Sequence, residues 1–386
     1  MLRATFTAVL AAIIVSVVAL KFFPIPFCWI GLIWWGIGFA IATRASSLMQ
    51  FPLVIAASVS LALALGEAFF AVTGPPEIFN ETVPVLDKLD PLLGWKPEPR
   101  QVYRATEKVG GVRIYDVSYS IDPAGHRISP PDRGDKVEGC LFFFADSFTF
   151  GEGVGDLETF PYQVGQKTNG RFRVVNLSYR GYGAEHMLAI VEQGDLAIHP
   201  PCKPTHIFYA ALPHHVLRAA GKTTFSIYGP QYRLGPKGIP EYFGTKPRPA
   251  KNWWGWRERL DDQLSKSQIY RRLSPAQTTE GDIDLYFGIV REAFSRFERR
   301  WPEAKLHIIS WDIHDFYSNG RDRFHSGLKT IRAEIHSIDD ILPGYAEDPT
   351  RYGLHRFDLH PNPVAHEMIA SYIAERVLSP TLSVNH

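Results

Sequence analysis

The stretch Phe142–Gly151, which reads FFFADSFTFG, sets the first expectation for this chain. An unbroken apolar run leads into Asp146 and Ser147, and a glycine-rich turn, GEGVG, follows over residues 151–155. Such a run is typical of a strand buried on both faces, and the glycines mark its end. In an open parallel sheet, ligands meet the carboxyl ends of the strands, so Ser147 would present its hydroxyl to a crevice there. Its own N–H, near the next helix start, could stabilise an oxyanion.

Short apolar runs and helical periodicity alternate through the rest of the region after residue 136. The candidate strands are Cys140–Ala145, Arg173–Leu177, Thr205–Leu212, Lys305–Trp311 and Ala333–Ile338. The candidate helices are Leu157–Thr168, Ala184–Gly194, Ile283–Trp301, Arg323–Ile331 and Pro363–Val377. Strands that alternate with helices predict an α/β domain whose parallel sheet is covered on both faces.

A second polar motif near the C-terminus offers a base for Ser147. A serine hydroxyl is a poor nucleophile unless a base takes its proton and a carboxylate orients that base. Asp358-Leu359-His360-Pro361-Asn362 supplies both groups, and one intervening residue lets both side chains point the same way on an extended backbone. His360 is therefore the candidate base and Asp358 the candidate orienting acid.

The order of these motifs resembles the GDSL (SGNH) hydrolase family over roughly Glu138–Val377. The family's Gly-Asp-Ser block corresponds to Ala145-Asp146-Ser147, with alanine in place of glycine. Its second block, an asparagine followed by an oxyanion-donating glycine, is similar to the segment Asn176–Gly183, with Gly181 as the donor. The resemblance implies a flavodoxin-like, three-layer SGNH domain that breaks or transfers ester bonds with Ser147 as nucleophile.

The third family block departs from its pattern. The family places Gly-x-Asn-Asp after the third strand, whereas this chain has Leu212-Pro213-His214-His215. An imidazole N–H can replace an amide donor, so His214 is the candidate second oxyanion donor, with His215 nearly as suitable. The Asp-x-His spacing at 358–360 is closer to the branch with alginate-type O-acetyltransferases than to the usual Asp-x-x-His.

The first 74 residues read as a transmembrane region of three helices. The apolar spans are Ala4–Leu20, Ile25–Ala42 and Phe51–Val72, each near the ~20 residues that cross a bilayer. Arg3 and Arg44 on one side against Lys21 on the other place the N-terminus inside, and the globular part outside a bacterial inner membrane. Glu67 within the third span must pair or face other helices.

Three regions follow from these patterns: 1–74 as the transmembrane region, 75–135 as a linker with a small antiparallel arm, and 136–386 as the hydrolase-like domain. Residues 221–275 interrupt the alternation and read as an insertion, with a tryptophan cluster at Trp253, Trp254 and Trp256. That cluster could stack on a sugar or lie at a membrane surface, but aromatic packing onto the domain is the more common role.

Composition limits the partners. The net charge of +1 gives no basic face for nucleic acid. The histidines lack zinc-site spacing, so neither a metal nor another cofactor is expected. Cys140 and Cys202 each precede a candidate strand, and either a disulfide or two free buried thiols fits that placement.

The sequence thus predicts a serine esterase, deacylase or O-acyltransferase, anchored in a membrane, for an ester-bearing cell-envelope glycan or lipid. One alternative is a non-catalytic module of the same fold that binds an acylated glycan or an export partner. Another is a lipid-directed esterase or thioesterase that uses the tryptophan insertion as a lid.

Overall fold

The structure is a computed structural model that describes residues 13, 16, 26–43, 47–74, 78–193, 202–223, 226–245, 264, 267–273, 277–311 and 321–379. The chain divides into two compact units, residues 1–76 with 249–275, and residues 77–248 with 276–386. The predicted insertion 221–275 is therefore split, because its second half belongs to the unit that holds the N-terminal helices. The tryptophan cluster and nearly all of the first predicted span lie outside the described residues.

The first unit contains helices α1 (Pro26–Ala42) and α2 (Ser47–Thr73), together with a short helix from the distant segment, Gln268–Leu273. The two long helices approach closely at small residues, since a Cβ added at Gly31 would lie 2.8 Å from the Cβ of Ala64. Among the described residues, only Gln50–Thr73 is long and apolar enough to cross a membrane, and the apolar stretch Phe27–Ala42 is shorter. The described residues thus do not support the predicted count of three spans.

Glu67, in the C-terminal third of α2, finds its partners within this unit. Its carboxylate accepts hydrogen bonds from the backbone N–H groups of Gln268 (2.8 Å) and Ile269 (3.2 Å), and from the hydroxyl of Ser267. These are the free donors at the start of the helix Gln268–Leu273, where a carboxylate is favourable. The expectation that Glu67 needs a partner is met by backbone of a segment 200 residues away.

The second unit opens with an antiparallel arm. Its strands are β1 (Ile78–Val83), β2 (Lys88–Asp90), β3 (Gly94–Lys96), β4 (Val102–Val109) and β5 (Val112–Ser120). Strands β1, β4 and β5 pair in that order into one sheet, and β2 pairs with β3. The burial of β4 alternates along the strand, which is the pattern of a sheet with one face packed on a core.

The domain that follows is built on five parallel strands. They are β6 (Cys140–Phe144), β7 (Arg173–Asn176), β8 (Pro204–Ala211), β11 (Lys305–Ser310) and β12 (Glu334–Ser337), in the spatial order β12-β11-β8-β6-β7. All five predicted strands are present, within one or two residues at each end. Between β8 and β11 the hairpin β9 (Pro230–Leu234) and β10 (Pro240–Thr245) takes the place of regular alternation.

Helices cover both faces of this sheet. They are α3 (Ser147–Phe150), α4 (Phe160–Lys167), α5 (Ala184–Glu192), α6 (His215–Ala219), α8 (Glu280–Arg300), α9 (Arg321–Leu328), α10 (Ile338–Ile341) and α11 (Pro363–Tyr372). The label α7 belongs to the helix Gln268–Leu273 of the first unit. Phe142 and Phe144 pack in one core with α5 and α8, while Leu141 and Phe143 pack in the other with α4 and α11. The predicted α/β class, a parallel sheet in three layers, is confirmed.

Cys140 and Cys202 form a disulfide with their Cα atoms 6.0 Å apart. Cys140 begins β6 and Cys202 lies just before β8, and these strands are hydrogen-bonded neighbours. Of the two arrangements that the sequence allows, the structure has the bonded one. Disulfides persist in oxidising compartments, which bears on where the domain works.

Candidate active site

Ser147 lies where strand β6 ends, between β8 and β7 in the sheet. The strand is fully buried, and Asp146 caps the short helix α3 by accepting a hydrogen bond from the N–H of Phe148 at 3.0 Å. The helix ends after one turn at Gly151, whose φ of 85° is the left-handed conformation that glycine tolerates best. Strand, cap and glycine together hold Ser147 at the carboxyl edge of the sheet.

Asp358 and His360 lie on a two-stranded ribbon, β13 (Gly353–His355) and β14 (Asp358–Pro361), that reaches the same edge. Nε2 of His360 is 2.8 Å from Oγ of Ser147, and Nδ1 of His360 is 2.5 Å from Oδ1 of Asp358. The same carboxylate oxygen accepts the backbone N–H of His360 at 3.1 Å. The three residues singled out in the sequence therefore form one hydrogen-bonded line from a hydroxyl to a carboxylate.

The electrostatic field around His360 favours the imidazolium. Burial alone would lower the pKa of His360, but the hydrogen bond and charge of Asp358, with the charges of Glu152 and Asp146, raise its pKa to about 9. Burial likewise opposes ionisation of Asp358, yet its bond to His360 keeps the pKa of Asp358 below the usual value. The pair can hold positive and negative charge side by side, as a base that accepts a serine proton must.

Asp146, one residue before the serine, anchors a buried cluster of cationic and imidazole groups. Its Oδ2 atom lies 2.7 Å from a guanidinium nitrogen of Arg218, 2.8 Å from Nε2 of His214 and 3.3 Å from Nε2 of His215. Burial would raise the pKa of Asp146, but Arg218 and the two histidines hold it well below its usual range. The altered third block thus folds back onto the first block and fixes the residue beside Ser147.

The two candidate oxyanion donors differ in their surroundings. Gly181 has a φ of 77°, a conformation that permits the close backbone approach expected of the second block. Burial lowers the pKa of His214 to about 3, so this ring carries one proton. If that proton is donated from Nε2 to Asp146, Nδ1 has none left to give, and an oxyanion role for His214 would require the other tautomer.

A second carboxylate, Glu152, lies beside the catalytic candidates. Its Oε2 is 3.6 Å from Nε2 of His360, and its Oε1 is 2.8 Å from the guanidinium of Arg180 and 3.0 Å from Nδ2 of Asn80. Two of these partners carry a positive charge, the guanidinium of Arg180 and the protonated imidazole of His360. Burial alone would lower the pKa of Arg180, but the charges of Glu152 and Asp87, with nearby tyrosines, together raise it above the ordinary value.

Arg127 ties the arm to the turn after Ser147. Its fully buried guanidinium donates to the carbonyl oxygens of Phe150 (3.0 Å), Gly151 (2.5 Å) and Val154 (2.7 Å). It also lies 3.3 Å from Asp156, which supplies the balancing charge. These bonds fix the glycine-rich turn, and with it the end of the helix that begins at Ser147.

Two groups of described side chains have ligand atoms close enough to share a metal ion. In the group of Asp146, His214 and His215, Arg218 already donates to the carboxylate, and its positive charge opposes a cation there. In the group of His307, Glu334 and His336, Nδ1 of His307 lies 3.1 Å from Nε2 of His336, which is hydrogen-bonding distance for one shared proton. No step of the chemistry considered below passes through either group.

The sequence did not single out Asn80, Glu107, Arg127, Glu152 or Arg180. One signal was available, because Glu107 occupies an inward position on β4, where Tyr103, Ala105 and Val109 are its buried companions. A carboxyl at a buried position of an alternating strand indicates a hydrogen-bonding or charged partner in the interior. The other four lie in segments whose contacts with the site depend on tertiary structure.

No protein-family model and no curated protein matches this chain. Solved structures do. A putative lipolytic protein of the G-D-S-L family from Desulfitobacterium hafniense is 12% identical, with a TM-score of 0.35, over 61% of this chain and 97% of that one. An acetyl xylan esterase from Butyrivibrio proteoclasticus is 11% identical, with a TM-score of 0.35, over 78% of this chain and 82% of that one.

A family two carbohydrate esterase from Clostridium thermocellum, solved with cellohexaose, is 10% identical, with a TM-score of 0.35, over 70% of this chain and 78% of that one. Identities and TM-scores this low carry no conclusion about substrate, and the interpretation of the site rests on its own geometry. In its parallel α/β architecture the chain is similar to GDSL-type (SGNH) hydrolases.

Proposed function

We propose that the protein is a serine esterase or O-acyltransferase for an ester-bearing glycan or lipid of the cell envelope. The observation that carries this proposal is the unbroken line from Oγ of Ser147 through His360 to Asp358, with distances of 2.8 and 2.5 Å. A hydroxyl bonded to an imidazole that is itself oriented by a carboxylate is the arrangement that activates serine for attack on an acyl carbonyl.

In the proposed reaction, Oγ of Ser147 attacks the acyl carbon while its proton passes to Nε2 of His360. The carbonyl π electrons move onto oxygen, and the oxyanion is stabilised by the N–H groups of Ser147 and Gly181. When the intermediate collapses, the ester C–O bond breaks and the departing alcohol takes the proton from His360. Asp358 keeps the imidazolium in place throughout.

The acyl group then rests on Ser147 until an acceptor hydroxyl arrives. Water gives hydrolysis and a sugar hydroxyl gives transfer, and in both cases His360 takes the acceptor's proton and returns it to Ser147. Which acceptor reacts depends on how well the site excludes water and positions the sugar.

A place in the cell envelope is supported by two features from different parts of the chain. The Cys140–Cys202 disulfide fits an oxidising compartment, and the helix Gln50–Thr73 has the length and composition of a membrane span. Together they favour a catalytic domain on the outer side of the inner membrane, as the distribution of basic residues predicts.

The decisive experiment is covalent labelling of the full chain, purified in detergent, with a fluorophosphonate probe. We expect wild type to be labelled on Ser147, and Ser147→Ala and His360→Ala to lose the label while keeping the wild-type circular dichroism spectrum. Ser178→Ala is a matched control, because Ser178 is a buried serine that donates to a backbone carbonyl at 3.2 Å. A folded wild type that does not label would refute the activated serine.

The alternative of a non-catalytic binding module is favoured by one observation, the raised pKa of His360. A pKa of about 9 leaves the ring mostly protonated at neutral pH, when it could not accept a proton. Labelling at pH 9.5 as well as at pH 7 separates the two functions. A module without catalysis would stay unlabelled at both pH values, whereas an esterase would label faster at the higher one.

A further inference from the structure

Glu107 brings a third carboxyl to the candidate site from outside the parallel-sheet domain. It lies on β4 of the arm, where its neighbours on the adjacent strands are Asn80 on β1 and Tyr115 on β5. Only 4% of its surface is exposed. Nδ2 of Asn80 lies 3.3 Å from Oε2 of Glu107 and 2.8 Å from the hydroxyl of Tyr115.

The second oxygen of Glu107 and the second oxygen of Asp358 have no donor among the described residues. Oε1 of Glu107 and Oδ2 of Asp358 are both buried and receive no N–H or O–H group. The two carboxyls also act on each other, because, beyond the effect of burial, Asp358 raises the pKa of Glu107 and the side chain of Glu107 helps to lower the pKa of Asp358. Two acceptor-only groups that face each other without a donor are explained if one of them carries a proton, since a carboxylic acid is a donor.

The surrounding charges decide which carboxyl holds that proton. Asp358 is bonded to His360, so its negative charge is matched by the imidazolium. Glu152 is matched by Arg180 at 2.8 Å. Glu107 faces Asp358, Glu152, His360 and the neutral Tyr115, and has no guanidinium or ammonium partner among the described ion pairs. Burial, followed by the charge of Asp358 and its hydrogen bond, raises the pKa of Glu107 to about 8.

We infer that Glu107 is a protonated carboxylic acid that donates a hydrogen bond to Oδ2 of Asp358, and so extends the Ser147–His360–Asp358 line by a fourth residue. It is a positioning residue, since it acts through Asp358 and does not touch the acyl group. This role rests on the proposed function, whereas the protonation itself does not.

A protonated Glu107 would affect both the orientation and the charge environment of the Asp358 carboxylate. Asp358 already accepts two N–H groups at Oδ1, and the Glu107 bond would fix Oδ2 and hence the plane of the carboxylate. The Glu107 proton also prevents a second buried negative charge from facing Asp358. Ionised, Glu107 would repel that carboxylate and hold His360 more firmly in its protonated form.

The protonation is tested by thermal melting of the full chain against pH. Glu107→Gln keeps an acceptor for Asn80 and a donor for Asp358 but cannot ionise. A group whose folded pKa is raised from 4.5 to about 8 contributes stability that is present below pH 4.5 and lost as the pH rises through 8. We therefore expect wild type and Glu107→Gln to melt alike at pH 5, and Glu107→Gln to melt several degrees higher at pH 9.

Glu81→Gln is the matched control, because Glu81 is an exposed glutamate on the neighbouring strand β1. Its melting difference from wild type should stay flat across the same pH range. A Glu107→Gln difference that is also flat, or that turns destabilising at high pH, would overturn the inference, since Glu107 would then be ionised. The measurement does not depend on any esterase activity.

The positioning role is tested by the rate of serine labelling or of ester hydrolysis at pH 7. We expect Glu107→Gln to stay within about threefold of wild type, and Glu107→Leu, which lacks a donor, to lose up to roughly 100-fold in kcat with KM little changed. Equal rates for Glu107→Leu and wild type would refute the role. If wild type itself shows no activity while the melting result holds, the proposed function fails and the protonated pair stands.

Discussion

At the scale of single residues, the most informative side chain is His360, the proposed base, which lies beside several carboxyl groups. Because Asp358 and Glu152 raise its pKa to about 9, the unprotonated ring becomes abundant only in alkaline solution. We expect kcat/KM, which reports the free enzyme, to rise with pH along a single limb with its midpoint near 9. A pH–rate series between pH 6 and 10 on a chromogenic ester measures it.

The same series on Glu152→Gln identifies the source of the shift. Removing the carboxylate 3.6 Å from Nε2 should move the midpoint down by roughly one pH unit, while Glu81→Gln leaves it in place. A midpoint near 6.5 in wild type would contradict the prediction, because it would show that Asp358 and Glu152 do not raise the pKa of His360.

His214 gives a second prediction at this scale, since two roles for it lead to different losses. If it serves only to hold Asp146, His214→Ala should lower the melting temperature but reduce kcat of the folded protein by less than about tenfold. An oxyanion donor would cost about 100- to 1,000-fold in kcat on removal. Steady-state kinetics, corrected for the folded fraction by circular dichroism, separate the two, and a loss in the larger range would restore the oxyanion role.

Sequence reasoning reached Ser147, Asp358 and His360 because each belongs to a short motif whose spacing already reflects local geometry. It could not reach Glu152, although that residue is only five positions after Ser147, because its meaning depends on Arg180 and His360. Glu107 and Arg127 could not be predicted either. Glu107 lies in the arm and Arg127 just after it, and their partners come from strands and turns elsewhere in the chain.

At the scale of elements, Arg127 joins the arm to the glycine-rich turn after Ser147 through hydrogen bonds to carbonyl oxygens of both. We predict that Arg127→Met, which keeps the side-chain length, lowers the free energy of unfolding by about 3–5 kcal/mol, because it leaves buried carbonyls and Asp156 without their donor. Arg127→Lys should recover only part of this, since one ammonium cannot reach all three carbonyl oxygens.

Chemical denaturation followed by fluorescence measures both variants. Arg133→Met is a suitable control, because Arg133 is an exposed arginine whose side chain donates to a single described carbonyl, that of Asn169 at 2.9 Å. Should Arg127→Met unfold at the wild-type denaturant concentration, the buried guanidinium would not be what holds the turn.

The elements of the parallel sheet were predictable from the sequence, whereas the count of three membrane spans stays a prediction. Strands such as Cys140–Phe144 are apolar on both faces, so the run itself marks the strand whatever surrounds it. The apolar helices are also continuous runs, but crossing a membrane depends on length, and Pro26–Ala42 has only 17 residues. Composition alone did not separate a helix long enough to span from one that is shorter.

At the scale of the whole molecule, the chain leaves one compact unit and returns to it. Residues 249–275 are distant in sequence from the N-terminal helices yet belong to their unit. Glu67 caps the helix Gln268–Leu273, a Cβ at Gly66 would lie 3.0 Å from Ile269, and the guanidinium of Arg272 lies 4.4 Å from the ring centre of Phe70. Removing the N-terminal helices would therefore strip this segment of its partners.

We predict that a chain beginning at Glu77 forms soluble oligomers or precipitates, because Ser267–Leu273 then lose their contacts with Gly66, Glu67 and Phe70 of α2 and expose that surface. The same truncated chain with residues 249–275 replaced by a glycine–serine linker of equal length should elute as a monomer and label at Ser147 as the full chain does. Size-exclusion chromatography with light scattering measures the first property and the fluorophosphonate probe the second. Identical elution of the two truncated chains would show that the segment does not depend on the N-terminal helices, and loss of labelling only in the linker variant would show that residues 249–275 also serve the active site.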